Sequence, residues 1–190
     1  MAADNENATA QWNLGWIYAH GVGVPQNHAI SATWYRKAAD QGNKEAMQNL
    51  GACYALGHGV PKSHAVASEW YRKGALQGNL LSMYSLGGQY NYGEGIVQNH
   101  AKAAKWFRRG ADGGDEYCQH RLGLLYAKGN GVPQSNTKAL MWLRKAADQG
   151  LAEAQFDFGV KYATNFAEAP PEKSKQALGK EALKWIRKAE

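Results

Sequence analysis

Residues 46–78, AMQNLGACYALGHGVPKSHAVASEWYRKGALQG, decide the fold, because their pattern returns every 36 residues along the chain. Leu14-Gly15, Leu50-Gly51, Leu86-Gly87, Leu122-Gly123 and Phe158-Gly159 recur in register, and Tyr18, Tyr54, Tyr90, Tyr126 and Tyr162 recur in step. Self-similarity at this period marks stacked supersecondary units, each burying its apolar face only against its neighbours. Function is then expected on an extended surface.

Within the quoted stretch, Ala46, Leu50, Gly51 and Tyr54 fall along one face of a helix. A glycine inside a helix costs about 1 kcal/mol against alanine. Its return at 15, 51, 87, 123 and 159 therefore predicts a place where a second helix approaches closely. The loops GVGV (21–24), GHGV (57–60), GEGI (93–96) and GNGV (129–132) read as tight reversals. They lack the preceding strand and the Lys-Ser/Thr closure that a phosphate loop needs. Asn27, Ser63, Asn99 and Ser135 follow as N-caps of a second helix. That helix carries Trp34, Trp70, Trp106, Trp142 and Trp185, and in the first four units Gly42, Gly78, Gly114 and Gly150 close it.

The pattern A-x-x-x-L-G-x-x-Y-x-x-G-x-G-V-P, a cap, then A-x-x-W-Y-R-K-A-A-x-x-G resembles the Sel-one-like repeat, a relative of the tetratricopeptide repeat. The resemblance covers nearly the whole chain and implies an all-α fold: an α/α superhelical solenoid of about five two-helix repeats, used as an adaptor or scaffold. The array spans 1–190, with repeats near 7–42, 43–78, 79–114, 115–150 and 151–190. In the last, Phe158 to Trp185 carries seven extra residues near 165–181, and its Pro170-Pro171 and Lys173, Lys175 and Lys180 read as an exposed, locally extended loop. Ala2-Ala3-Asp4 aligns with Ala38-Ala39-Asp40, and Trp185-Ile186-Arg187-Lys188-Ala189 aligns with Trp142-Leu143-Arg144-Lys145-Ala146. The chain is thus expected to be a segment of a longer protein, periplasmic or secreted if a signal peptide was removed upstream, otherwise cytoplasmic. No run of about 18 apolar residues is present to span a bilayer.

Cys53 and Cys118 sit at non-equivalent positions and read as small buried residues. The net charge of +6 raises nucleic-acid binding. Yet ten of the 22 basic residues are the doublets Arg36-Lys37, Arg72-Lys73, Arg108-Arg109, Arg144-Lys145 and Arg187-Lys188. Following a buried Trp, they are expected to face solvent, which makes nucleic acid the weaker reading. His28, His64 and His100 share one repeat position, but helices packed roughly 8 to 10 Å apart cannot share a zinc ion whose ligands lie about 2 Å away. No metal site or cofactor is expected. Cys53 near His58 lacks an orienting third group, and Asp112, Asp115 and Glu116 read as helix-terminus charges, so no catalytic residue is assigned.

The relation to the tetratricopeptide groove implies that first helices line a concave side, with positions that vary between copies facing outward. These are Trp12, Trp16, His20, Glu45, Gln48, Tyr84, Tyr92, Tyr117, His120, Lys128, Glu153 and Phe156. Aromatic side chains dominate interface hot spots. The expected function is non-enzymatic binding of a partner protein or peptide in an aromatic groove, in bacterial complex assembly, host interaction or effector neutralisation. Trp12 and Trp16 have a second reading, as cover for an upstream repeat. Oligomerisation through end repeats is a further expectation. The alternatives are a glycan or peptidoglycan module and, more weakly, the β-lactam-binding or hydrolysing enzyme of cysteine-rich relatives, whose regular cysteine pairs this chain lacks.

Overall fold

The computed structural model describes residues 7–167 and 172–189, with side chains for 7–164 and 179–189. Among these residues there are ten α-helices and no strands: α1 (Ala8–His20), α2 (His28–Asp40), α3 (Lys44–Leu56), α4 (His64–Leu76), α5 (Leu80–Tyr92), α6 (His100–Asp112), α7 (Glu116–Lys128), α8 (Asn136–Asp148), α9 (Ala152–Ala167) and α10 (Glu172–Lys188). The chain is an all-α solenoid of two-helix repeats.

Local chemistry sets the helix ends. Asn27, Ser63 and Ser135 cap α2, α4 and α8 as the sequence predicts, each accepting from the amide three residues on. Asn7, Asn43, Asn79 and Asp115 do the same for α1, α3, α5 and α7. At the hairpin turn, Gly57 adopts φ 79°, and the Gly57 and His58 amides both donate to the Cys53 carbonyl at 2.8 and 2.9 Å. This is a left-handed closure that a side chain would strain.

Residues 1–99 and 100–190 form two compact units. In the first, α1 pairs with α2 and α3 with α4, while α2 and α4 also pack on α3 and α5. In the second, α7 pairs with α8 and α9 with α10, while α6 and α8 pack on α7 and α9. Within the units, α2, α4 and α8 thus each sit between two first helices. The predicted close approach at the helical glycines is present in both units. A Cβ on Gly15 would meet Tyr35 Cδ1 at 2.5 Å, and one on Gly159 would meet Ile186 Cγ1 at 2.7 Å. The second loop glycine seats one repeat on the last. A Cβ on Gly59 would lie 2.1 Å from the His28 carbonyl oxygen, at the start of the preceding repeat's second helix.

The first unit's core joins Ala32, Tyr35, Ala38, Ala46, Met47, Leu50, Cys53 and Trp70, and the second's joins Leu143, Ala146, Ala147, Ala154 and Phe158. Trp70 and Trp142 are buried; Trp34, Trp106 and Trp185 are half-buried.

Two expectations need correction. The 165–181 segment is not a loop through its length: α9 runs to Ala167, residues 168–171 lie outside the described set, and α10 begins at Glu172. The reason is composition, since EKSKQALGKEALK is made almost entirely of good helix formers. The overlay of Ala2-Ala3-Asp4 on a second helix also falls on residues outside the described set.

The second correction concerns the basic doublet. Arg36 does not turn out to water. Its Nη2 donates to the Tyr54 hydroxyl of the next repeat, and its guanidinium lies 5.6 and 5.1 Å from the ring centroids of Tyr54 and Trp70. Arg108 repeats the arrangement with Tyr126 and Trp142, at 5.6 and 5.3 Å. A planar guanidinium can donate to a hydroxyl and stack on rings together, so Arg36 and Arg108 join repeats, whereas Arg72, Arg144 and Arg187 at the same position are exposed as expected. The following cation packs back on its own helix: Lys37 Nζ lies 4.2 Å from the Trp34 ring centroid, and Lys73 Nζ 4.0 Å from that of Trp70.

Candidate functional site: clefts on the first helices

The first unit holds a cleft of about 490 Å³ between α1 and α3, with the start of α2 as its floor. Trp16 and His20, one turn apart on α1, form one wall as a stacked pair with ring centroids 4.4 Å apart. Trp16 is 42% exposed, and His20 Nδ1 lies 2.8 Å from the Trp16 carbonyl oxygen, which fixes the imidazole over the indole. Asn49, Ala52, Cys53 and Leu56 of α3 face them, and His28, Ser31 and Tyr35 rise from α2. The His28 and His58 rings stack at 4.8 Å and 16°, so His28 belongs to an inter-repeat pair instead of a ladder with His64 and His100.

The second unit holds a larger cleft of about 690 Å³, lined by His120, Arg121 and Leu124 of α7, Ala152, Glu153, Phe156 and Asp157 of α9, and Ile186 and Ala189 at the chain's end. Phe156 is 50% exposed. His120 is buried, and its Nε2 lies 2.7 Å from Asp157 Oδ2, tying α7 to α9.

The candidate residues therefore divide. Trp16 and His20 share the first cleft; His120, Glu153 and Phe156 share the second. Tyr92, Tyr117 and Lys128 are exposed on their helices, while Tyr84 and Glu45 are half-buried. Gln48, Trp12 and the buried His120 do not face outward. Gln48 is buried and its Oε1 accepts from Ser82 Oγ at 3.3 Å. Trp12 packs against the first unit's core with its indole nitrogen buried. Positions 12, 48, 84, 120 and 156 are equivalent, and variation there includes pairwise contacts between repeats, Gln48 with Ser82 and His120 with Asp157, while Trp12 packs its ring on the core. Cleft residues missed in sequence, such as Asn49, His58, Arg121 and Leu124, carry no periodic signal.

Burial pushes the Cys53 thiol up to about 11, leaving it protonated at neutral pH, and holds Cys118 still higher with Asp115 alongside. Among the described residues, no three His, Cys, Asp or Glu side chains converge as a metal site. No helix among them is long and apolar enough to cross a membrane.

The family model described as the Sel1 repeat matches residues 8–43, 44–79, 80–115 and 116–151. The chain belongs to the Sel1 repeat family. Two solved Sel1-type structures resemble it throughout. The crystal structure of c5321, a protective antigen present in uropathogenic Escherichia coli strains and displaying an SLR fold, matches with TM-score 0.88 and 38% identity over 99% of this chain and 39% of the other. A Sel1 repeat protein from Oxalobacter formigenes matches with TM-score 0.85 and 34% identity over 97% of this chain and 73% of its own. The chain thus spans about two fifths of the c5321 chain. No curated protein matches it. Sel1 repeat proteins are generally protein-interaction scaffolds, and the fold is typically a non-catalytic module.

Proposed function

We propose that this chain is a non-enzymatic adaptor whose clefts each grip part of a partner protein or peptide. The observation that carries the reading is the exposed, pre-stacked Trp16 and His20 pair lining an open cleft on first helices. Aromatic anchors that lose few rotamers on binding supply most interface energy. In the second cleft, Phe156 and Leu124 offer an apolar seat beside the His120–Asp157 pair. Bacterial complex assembly, effector neutralisation and host interaction are all settings for such an adaptor, and similarity to a protective antigen supports the last.

Selection of peptides on the immobilised chain, repeated with Trp16→Ala and Phe156→Ala, tests the proposal. The expected result is peptides retained by the parent whose affinity falls by about tenfold or more in one variant, the cost of losing a hot-spot residue. Peptides bound equally by all three would overturn it. Displacement by soluble glycan fragments would move the clefts to carbohydrate binding.

A further inference from the structure

The net charge is not spread along the array. Residues 1–99 hold six basic and six acidic side chains; residues 100–190 hold sixteen and ten. The whole excess therefore belongs to the second unit, although the basic doublet occurs in both. Within that unit it sits on the second helices. α6, α8 and α10 carry thirteen cations against four carboxylates, whereas α7 and α9 carry three of each. Lys105, Arg109, Lys138, Lys145, Lys184 and Arg187 are all exposed. α6, α8 and α10 are equivalent helices of successive repeats, so Arg109, Lys145 and Lys188 recur at one repeat position.

We infer that the second-helix face of residues 100–190 is a docking surface for an acidic polypeptide segment. Charge complementarity sets the ligand's sign: clustered like charges raise the local potential and recruit a carboxylate-rich partner. Three observations select a polypeptide. The indole rings that could stack on nucleobases already carry cations of their own helix: Arg109 lies 5.8 Å from the Trp106 centroid, Lys145 4.4 Å from that of Trp142, and Lys188 5.0 Å from that of Trp185. Stacking of bases on aromatic faces is the main attraction for single-stranded nucleic acid, so that attraction is weakened here. Among the described residues, Met141 and Leu183 are the large apolar side chains exposed on these helices, too few to insert into a bilayer. Sel1 repeats generally bind proteins. None of these second-helix cations lines either aromatic cleft.

The probe is a labelled poly-glutamate peptide, titrated by anisotropy into the full chain. Its affinity is expected to fall about tenfold or more between about 50 and about 300 mM salt, as contacts between exposed charges become screened. Lys105→Gln, Arg109→Gln, Lys184→Gln together should weaken binding about tenfold, while the charge-matched Lys37→Gln, Arg72→Gln, Lys73→Gln set in the first unit should leave it within about twofold. Equal weakening by both sets would mean attraction to net charge alone and would overturn the proposal. Carbodiimide coupling of the peptide to the unaltered chain gives a readout independent of variant folding. Adducts on Lys105, Lys145 and Lys184 support the assignment, and adducts spread evenly over Lys44, Lys62 and these lysines overturn it. Tighter binding of phosphatidylserine vesicles or duplex RNA than of the peptide at matched salt would reassign the face. Trp16→Ala and Phe156→Ala should leave peptide binding unchanged, so failure here and failure of the cleft reading are told apart.

Discussion

Gly51 of α3 faces the ring of Tyr71 on α4 so closely that a Cβ would lie 2.6 Å from Tyr71 Cδ1. Four aromatic or aliphatic side chains, Tyr35, Tyr71, Leu143 and Ile186, meet four glycines in this manner. The contact joins the two helices of a hairpin, and only hydrogen in place of a side chain permits it.

Gly51→Ala should therefore destabilise the chain by about 1–3 kcal/mol, because overpacking against a buried ring outweighs the gain of about 1 kcal/mol in helix propensity. Gly88 of α5 has nothing within 4 Å of a built Cβ. Gly88→Ala should stabilise by about 0.5–1 kcal/mol. Urea unfolding of the two variants reads the opposite signs directly.

Arg36 and Tyr54 join the first repeat to the second. Arg36→Gln is expected to cost about 1–2 kcal/mol, from a charged hydrogen bond and cation–π contacts at a part-buried site. A double-mutant cycle with Tyr54→Phe should give a coupling of about 1 kcal/mol. Zero coupling would make the pair an incidental surface contact.

His120 and Asp157 should couple likewise. Asp157→Ala is expected to cost about 1 kcal/mol, and His120→Ala should then add little, because the shared hydrogen bond is already gone. Thermal unfolding of the two single variants and the double variant measures this.

Thiol titration checks the cysteines. Cys53 and Cys118 are buried, with Cys53 pushed up to about 11, so neither should react rapidly with a disulfide reagent at about pH 8 until the chain unfolds. Fast native labelling of Cys53 would show that the α3 side of the first cleft opens to solvent.

Burial raises the Tyr71 phenol from 10.0 to about 12. A folded value above the unfolded one means that stability from the neutral phenol is fully present below pH 10 and is lost as pH rises toward 12. Tyr71→Phe should flatten the fall in stability over that window, by on the order of 2 kcal/mol relative to the parent. Unfolding midpoints at about pH 9 and about pH 11.5 give the comparison.

The clefts show how far a repeat can be read one residue at a time. Trp16 and His20 are exposed, as large side chains at varying positions suggest, whereas Trp12 at another varying position packs on the core. Gln48 misleads: a varying position reads as outward, yet its amide oxygen accepts from Ser82 of the next repeat. Arg36 misleads in the opposite sense, since a recurring cation after Trp reads as solvated until Tyr54 is seen beside it.

The sequence by itself determined the period, the two-helix unit, the caps of the second helices and the glycines of close approach. Each is a local demand of backbone conformation or side-chain size, repeated often enough to stand out. Only the tertiary structure decided which varying residues join neighbouring repeats and that the two aromatic clefts draw on residues from three helices each. Those outcomes depend on side chains about 36 residues apart meeting across a helix interface, and no pattern within one repeat encodes the partner that the next repeat supplies.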